Sequence, residues 1–347
     1  MTRNSLNSAS RARVAAATLT CVTLGLSLGA NATTIDKTLC VGAFSKNLID
    51  ASTNTTNPVT FWGYAPCSAM MNTAVNPTLP SPLIEVGIGD TLNLTLNVNM
   101  MTPQENAPYD GHTIHLHGAD VPTSEDGVPE TSRAVTNGNG TDTYTWSPTP
   151  EMAGTYMYHC HVHTVKHLEM GMYGPLIVRP KDATGNFLNQ LTPDAATAYN
   201  FIQTYLLSSV DPAYHTAIDN SPVFADYNPK YFLINGEQGL SAVSPAATLT
   251  AATNSKVALR LIGLHSINGT FSILDSAGNA KSFTVYVEDG RQWPTPETMT
   301  SLDVGPGQRY DIIFNTPTAT GTLFPQFEFK KLRDGSPYAT AYGKVTF

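Results

Sequence analysis

Residues 91–100 read Thr-Leu-Asn-Leu-Thr-Leu-Asn-Val-Asn-Met, and apolar and polar side chains alternate there without a break. Alternation with a period of two is typical of a β-strand that has one face in the core and one in solvent. Similar runs lie at 143–146, 257–261 and 283–287, and turns that contain glycine separate them. No long stretch keeps a helical period. We therefore predict an all-β chain of short strands, as in β-sandwiches or barrels.

The chain is long enough for about two domains. It has 347 residues, of which 41% are apolar and only 13% charged, so each domain can bury a core. A segment near 179–198 contains Pro, Asp, Gly and Asn and has the composition of a linker. We expect two tandem β-sandwich domains at 33–182 and 196–347.

The first 32 residues have the pattern of a signal peptide. Arg3, Arg11 and Arg13 give a positive start, residues 14–30 are apolar or small, and 30–32 form a small-x-small cleavage site. We expect an exported protein, periplasmic or secreted. The alternative is a membrane-anchored form in which the segment is not cleaved.

Charge and cysteine content restrict the possible partners. The formal net charge of −8 argues against a nucleic-acid partner. Beyond residue 32 no apolar run is long enough to cross a bilayer. Cys40 and Cys67 are candidates for a disulfide in an oxidising compartment, and the alternative is two unpaired, buried thiols. Cys21 lies in the predicted signal peptide and is lost with it, so Cys160 remains as an odd cysteine that needs an explanation.

Seven of the nine histidines lie in two short segments, 111–118 and 158–174. Residues two apart in a strand point the same way, so the side chains of His115 and His117 share a face. By the same rule the residues before and after Cys160 share a face, and Cys160 points to the opposite side. The pattern predicts two metal sites joined by one short peptide.

The residue types indicate copper. A thiolate, two imidazoles and a weak axial thioether define a blue-copper site. Cys160 can supply the thiolate, His112 and His167 the imidazoles, and Met172 the thioether, with Met170 as a rival for the axial position. Pairs of imidazoles suit copper that reacts with oxygen.

The chain resembles the multicopper oxidases of the cupredoxin superfamily. The resemblance rests on His-x-x-His-x-His-Gly at 112–118, His-Cys-His at 159–161 and His-Leu-Glu-x-Gly-Met at 167–172. In the second half, 232–236 and 305–311 resemble a family domain that carries no copper. The resemblance covers about 80–347 and implies two tandem Greek-key cupredoxin-like sandwiches, the second without a complete copper site.

The resemblance also implies two groups of ligands. A type 1 copper, where electrons enter, would be bound by His112, Cys160, His167 and Met172. Half of a type 2/type 3 copper cluster, where dioxygen becomes water, would be formed by His115, His117, His159 and His161. Asp126 and Glu169 are candidate proton relays near the cluster, although Asp126 is equally explained as a turn residue before Gly127.

These expectations describe a secreted, laccase-like oxidase that takes single electrons from a phenol, an amine or a metal ion and passes them to dioxygen. One alternative is a non-enzymatic blue-copper electron carrier or copper-handling protein. A copper nitrite reductase is disfavoured, because those proteins have Asp where His115 stands and no second histidine where His161 stands.

The second half is short of histidines for such a cluster. The family cluster needs eight, and the second half offers only His215, expected on a surface loop, and His265, expected to be a buried structural residue. His163 is expected to be exposed or to support the ligands. Three arrangements remain open: a homo-oligomer in which two first domains face each other, a different protein that supplies the missing half, or a site with fewer copper ions.

Overall fold

The structure is a computed structural model that describes residues 32–50, 52–68, 74–98, 111–136, 140–216, 227–239 and 243–347. The predicted signal peptide lies outside the described residues apart from Ala32. None of the helices in the described part of the chain is long and apolar enough to cross a membrane.

Within its described residues, the first half contains eight strands and one short α-helix. The strands are β1 (Thr34–Ile49), β2 (Thr56–Pro66), β3 (Ile84–Gly87), β4 (Thr91–Asn97), β5 (His115–His117), β6 (Thr141–Trp146), β7 (Gly154–His159) and β8 (Tyr173–Arg179). The helix is α1 (Thr164–Glu169), and 3-10 turns span Thr123–Glu125 and Pro150–Met152.

These strands form two four-stranded sheets, in the orders β2-β1-β4-β6 and β3-β8-β7-β5. Alternate residues of β4 are buried, as the period of two predicts, and Leu92, Leu94 and Leu96 enter the core between the sheets. Tyr156 and Tyr158 of β7 enter the same core from the other sheet. The half is therefore a sandwich whose core is closed by both sheets.

Among the residues that the structure describes, the second half contains thirteen strands and one short α-helix. The strands are β9 (Phe201–Val210), β10 (Tyr231–Ile234), β11 (Glu237–Gln238), β12 (Val243–Thr250), β13 (Lys256–Gly263), β14 (Asn268–Asp275), β15 (Ala280–Lys281), β16 (Phe283–Glu288), β17 (Arg291–Met299), β18 (Ser301–Val304), β19 (Arg309–Asn315), β20 (Thr322–Lys330) and β21 (Pro337–Thr346). The helix is α2 (Pro212–Thr216), and a 3-10 turn spans Ala195–Thr197.

This half is again a sandwich of two sheets. A seven-stranded sheet has the order β11-β10-β9-β13-β19-β16-β17, and the facing sheet has the order β12-β21-β20-β14-β15 with β18 paired to β14. A core that includes Leu261, Phe271, Ile312 and Phe327 lies between them. The all-β prediction is confirmed, and we propose that the two halves are the predicted domains 33–182 and 196–347.

The segment between the halves differs from a loose linker. Leu191 and Tyr199 are buried in a small cluster with Ala258, Val287 and Ile313 of the second half. These two apolar side chains anchor this part of the connection to the seven-stranded sheet.

A disulfide and a buried ion pair tie separate segments of the first half together. Cys40 of β1 and Cys67, just after β2, form a disulfide. Asp90, in the turn before β4, accepts hydrogen bonds from Lys181 and from the backbone and side chain of Thr33, and both members of the Asp90–Lys181 pair are buried. These contacts hold the chain ends of the half to the sandwich that carries the histidines.

Candidate metal centre

Strands β5 and β7 bring the two histidine segments together. They pair antiparallel, with His115 opposite His159 and His117 opposite Met157. This register places the imidazoles of β5 beside the end of β7. The chain then leaves the sheet at Cys160 and returns through α1 to β8.

The first group of donor atoms surrounds Cys160. The Cys160 Sγ lies 3.0 Å from Nδ1 of His167 and 3.9 Å from Nδ1 of His112. Cys160 and His167 are fully buried, and His112 is 3% exposed. His112 is held by a backbone bridge to Val135, while α1 presents His167. The structure thus brings together the thiol and the two imidazoles that the sequence placed in one site.

Met172 lies next to this group. Its backbone carbonyl accepts the N–H of Cys160 at 3.1 Å, and its own N–H donates to the carbonyl of His167 at 3.0 Å. The Met172 side chain is fully buried in the same core cluster as Cys160. The rival Met170 belongs to that cluster too, and its carbonyl accepts the N–H of Trp62 at 2.7 Å. Both thioethers are thus buried in the core that contains the thiol.

The electrostatics of this pocket favour the thiolate. Burial by itself would raise the pKa of the Cys160 thiol, but the neighbouring His167 and His112 outweigh it, so the pKa lies well below its ordinary value. The backbone N–H of Thr113 also points to the sulfur at 3.5 Å. A thiolate is the form of cysteine that binds metals.

The second group of donor atoms lies on the other side of the same peptide. One ligand atom from each of His115, His117 and His159 lies within 4.8 Å of the others. The Nδ1 of His117 is 3.2 Å from Nε2 of His159. The ring centroid of His161 is 5.1 Å from that of His115 and 5.9 Å from that of His159. All four imidazoles of the predicted cluster therefore lie together.

Hydrogen bonds to carbonyl groups fix two of these rings. The Nδ1 of His115 donates to the carbonyl of Asp126 at 2.5 Å, and Nδ1 of His159 donates to the carbonyl of Cys160 at 3.0 Å. Because a carbonyl can only accept, these bonds leave a lone pair on each Nε2. Such a bond on the far ring nitrogen is the usual support of a metal-binding histidine.

Burial keeps His117 and His159 uncharged. It lowers the pKa of His159 well below its ordinary value and lowers the pKa of His117 to about 3, helped there by the positive charge of Arg309. Neutral imidazole is the form that binds metals.

The donor spacing fits metal ions. An ion with bonds of about 2.0–2.3 Å to nitrogen and sulfur separates neighbouring donors by roughly 3–4 Å. The Cys160–His167, Cys160–His112 and His117–His159 separations of 3.0, 3.9 and 3.2 Å lie in this range. Thiolate with imidazole is a donor set that suits copper, whereas magnesium or calcium would require oxygen ligands.

The imidazole group lines a cavity of about 340 Å³ between the two halves. The second half contributes the loop after β13 and the turn before β19, namely Gly263, Leu264, His265, Ser266, Pro306 and Gly307. A Cβ atom on Gly307 would lie only 3.4 Å from Nε2 of His117. The same chain therefore covers the histidine face, and two first halves could meet there only if the second halves moved away.

Arg309 fastens the second half over this face. Its guanidinium donates to the carbonyls of Gly307 at 2.7 Å and Thr155 at 3.4 Å, and Arg309 is 3% exposed. Gly118 follows His117 with φ +78, and a Cβ atom there would lie 2.2 Å from the Arg309 guanidinium. Glycine is thus needed at 118 both for the turn and for the close approach of the arginine.

Glu169 is a further buried residue at the cavity. One carboxylate oxygen accepts the N–H of Asp211 at 2.5 Å, and the other accepts the hydroxyl of Tyr227 at 3.1 Å. Burial raises the pKa of Glu169 to about 8. The acid is therefore part of the contact between the halves as well as of the cavity wall.

Asp126 supports the site through its backbone. Its carboxylate accepts hydrogen bonds from Val128, Thr131 and Ser132, as expected of a turn residue. Burial opposes ionisation, but these bonds outweigh it, and the pKa of Asp126 is lowered. Its carbonyl orients His115, a contact that the sequence did not reveal.

The remaining histidines occupy three different environments. His163 is exposed at the start of α1 with φ +42. His215 is not on a surface loop as expected: it lies in α2, and its side chain is buried and bonded through Nδ1 to the carbonyl of Thr60 at 2.6 Å. His265 is buried as expected, but it also lines the histidine cavity.

Comparison with known proteins agrees with this arrangement. Two family models, both described as multicopper oxidase, match residues 62–183 and 211–335. The computed structure is similar to the crystal structure of the blue copper oxidase from Nitrosomonas europaea, with a TM-score of 0.67 at 22% identity over 90% of this chain and 85% of that chain. That likeness shows a fold of tandem cupredoxin-like domains.

The chain aligns with only part of the length of its curated relatives. The chain is 26% identical to oxidoreductase ptaE of Pestalotiopsis fici over 71% of this chain and 38% of the relative. It is 29% identical to laccase-2 of Botryotinia fuckeliana over 70% of this chain and 39% of the relative. The chain thus spans about two fifths of the length of these relatives. The matches to both halves establish that the chain belongs to the multicopper oxidase family, a family of copper-dependent oxidoreductases.

Proposed function

We propose that the protein is a laccase-like multicopper oxidase that couples one-electron oxidation of a small donor to the reduction of dioxygen to water. The supporting observation is the peptide 159–161. Its central thiol lies in one buried group of donors, while the histidines on either side belong to the other group. Such a peptide gives electrons a short covalent route between two sites.

The two groups of donor residues have different roles. We propose that His112, Cys160, His167 and Met172 hold a type 1 copper, and that His115, His117, His159 and His161 hold type 2/type 3 copper. When bound, copper would supply the one-electron redox change at the first site and the binding of dioxygen at the second. The protein contributes donor atoms oriented in advance, since hydrogen bonds already fix the rings of His115 and His159.

The two buried groups need different surroundings. The thiol group lies in an apolar core with Met170, Met172 and Val162, which excludes water and limits reorganisation. The imidazole group opens to a cavity that can admit dioxygen. Glu169 lies in the wall of that cavity, and we propose that its carboxyl relays the protons that water formation consumes; Asp126, the other candidate, is held in its turn by three hydrogen bonds.

The donor is proposed only as a class: a phenol, an amine or a metal ion. The ring of His167 lies 5.4 Å from Trp62 and 6.1 Å from the exposed ring of His163, so a donor docked on this surface would be near the thiol group. Export to the periplasm or the exterior, and assembly as a homo-oligomer, are parts of the same proposal.

The test is dioxygen uptake by the copper-loaded full chain with a phenolic donor. We expect four donor molecules to be oxidised for each dioxygen reduced to two waters. His115→Ala should abolish uptake and leave the blue colour intact. Blue colour without uptake in fully loaded wild-type protein would instead favour an electron carrier, an alternative supported by the small number of histidines in the second half.

A further inference from the structure

His265 occupies a place in the cavity that its sequence context did not suggest. It follows β13 and belongs to the second half, yet it lines the same cavity as the four imidazoles of the first half. Among the described residues that line this cavity, it is the histidine supplied by the second half. Only 2% of the residue is exposed.

The orientation of this ring matches that of the proposed ligands. Its Nδ1 makes a short hydrogen bond to the carbonyl of Ile267. Because the carbonyl can only accept, Nδ1 carries the proton and Nε2 carries a lone pair. His115 and His159 are fixed by carbonyl groups in the same way. All three rings therefore have a donor nitrogen that is ready to bind a cation.

The lone pair of His265 is not used within the described protein. Its Nε2 is buried and has no hydrogen-bond partner among the described residues. The rings of Phe327 and Phe329 pack against the imidazole with centroids at 5.1 and 5.8 Å. An unsatisfied buried polar atom costs about 1–3 kcal/mol. Binding of a ligand at Nε2 would offset that cost.

Two glycines border the Nε2 atoms of His265 and His117. A Cβ atom on Gly263 would lie 3.2 Å from Nε2 of His265, and one on Gly307 would lie 3.4 Å from Nε2 of His117. The N–H of Gly307 donates to the carbonyl of Gly263 at 2.8 Å. The two Nε2 atoms thus border one patch of bare backbone. Burial also lowers the pKa of His265 to about 4, which keeps the ring neutral.

We propose that His265 is a copper ligand supplied by the second half, so that five imidazoles of one chain hold the copper of the cavity. This inference rests on the proposed function. It assigns the cavity a copper ligand from the second half of the same chain beside the four imidazoles of the first half, and it needs no first half from a second copy. It also gives the second half a direct chemical role besides covering the histidine face.

The variant that tests this is His265→Asn in the full chain. The asparagine amide can keep the hydrogen bond to Ile267 but has no atom at the Nε2 position. His215→Asn is a matched control, because His215 is also a buried second-half histidine with Nδ1 bonded to a carbonyl and does not line the cavity. Circular dichroism and thermal unfolding of the copper-free proteins check folding.

The readout is copper content and affinity measured by competition with a chelator. We expect His265→Asn to keep the blue colour and to weaken the other copper at least about tenfold, while His215→Asn binds like the wild type. Wild-type affinity for all copper in a folded His265→Asn protein would overturn the inference. A wild-type protein that shows no blue colour when loaded with copper would instead overturn the proposed function.

A second measurement does not depend on the variant folding. Crystals of the full chain loaded with copper would be examined by anomalous diffraction at the copper edge. A peak within about 2.5 Å of the His265 Nε2 supports the inference, since copper–nitrogen bonds are near 2.0 Å. Peaks at the first-half imidazoles and none at His265 would overturn it.

Discussion

The Sγ of Cys160 lies 3.0 Å from Nδ1 of His167, and neither residue is exposed to solvent. Six residues, 161–166, separate the two partners along the chain and include the loop between β7 and α1. This segment must fold correctly for the contact to form. The helix carries His167 at a point where the thiol can meet it. This arrangement concentrates a thiolate donor and an imidazole donor in an apolar core, which is a good site for a soft metal ion.

His167→Gly should remove one imidazole from the thiol group. We expect copper affinity there to fall by about tenfold or more and the blue colour to be lost, because the thiolate then has too few partners. Added imidazole should restore part of the colour by filling the space. Absorption spectra during copper titration measure both effects.

The matched control for that experiment is His163→Asn. His163 lies on the same loop but is exposed, and asparagine tolerates its φ of +42. The colour should remain at the wild-type level. A blue spectrum in His167→Gly without imidazole would contradict the assignment of His167.

Asp90→Ala should destabilise the first half. The substitution leaves the buried Lys181 without its carboxylate and frees the N–H of Gly87, which donates to Asp90 at 3.0 Å. Breaking a buried ion pair typically costs about 3–5 kcal/mol. Urea unfolding of the copper-free protein, followed by tryptophan fluorescence, measures the loss. A change below about 1 kcal/mol would show that the pair contributes little.

The Asp90 contact also gives a pH dependence. Burial would raise the pKa of Asp90, but the bonds from Lys181 and Thr33 outweigh it and leave the pKa below the ordinary 3.8. A carboxyl with a depressed pKa stabilises the fold fully above its unfolded pKa and loses this contribution as the pH falls through the folded value. The difference in unfolding free energy between wild type and Asp90→Asn should therefore shrink on acidification below pH 3.8. A difference that is constant down to the acid transition would contradict this.

Asp311→Ala should destabilise the contact between the halves. Asp311 is fully buried, accepts from Arg260 at 2.8 Å and also accepts from Thr155 of the first half. Its removal leaves the Arg260 charge buried, at a cost of about 3–5 kcal/mol. The double variant Arg260→Met with Asp311→Leu should recover much of the loss, because no charge then stays unpaired. Equal stability of the single and double variants would contradict the explanation.

The double variant Cys40→Ser/Cys67→Ser should have a lower free energy of unfolding, because the unfolded chain gains conformational entropy when the disulfide is absent. The disulfide closes a segment with a sequence separation of 27. The loop-entropy relation gives a loss of about 3.5 kcal/mol for this length. Thermal unfolding in the absence of copper measures it, and the reduced wild type serves as the comparison. An unchanged unfolding temperature in both the double variant and the reduced wild type would show that the disulfide contributes little to stability.

The strands and the grouping of the histidine and cysteine side chains could be predicted because they depend on local patterns. The alternation in β4 gives its buried face directly. The spacing of His115, His117 and Cys160 determines which side chains share a face once the strands pair. The all-β fold could be predicted as well, because turns with glycine break the chain at short intervals.

Other features depend on contacts between distant parts of the chain. His265 reaches the cavity through the packing of the second half on the first, and no spacing signals it. His215 is buried because β2 packs against α2. The Thr60 carbonyl bonds to the His215 ring, and the centroids of the Phe61 and His215 rings lie 5.0 Å apart. Leu191 and Tyr199 did offer a signal against a loose linker, since apolar side chains in a connection usually pack on something.

The central claim is that two adjoining copper sites share the peptide at Cys160. The most direct test is the absorption and electron paramagnetic resonance of the copper-loaded full chain, of Cys160→Ser and of His115→Ala. We predict a blue thiolate–copper spectrum that Cys160→Ser abolishes while the second copper signal remains, and the reverse for His115→Ala. A colourless wild-type protein in excess cupric salt, or a blue colour that survives Cys160→Ser, would contradict the claim.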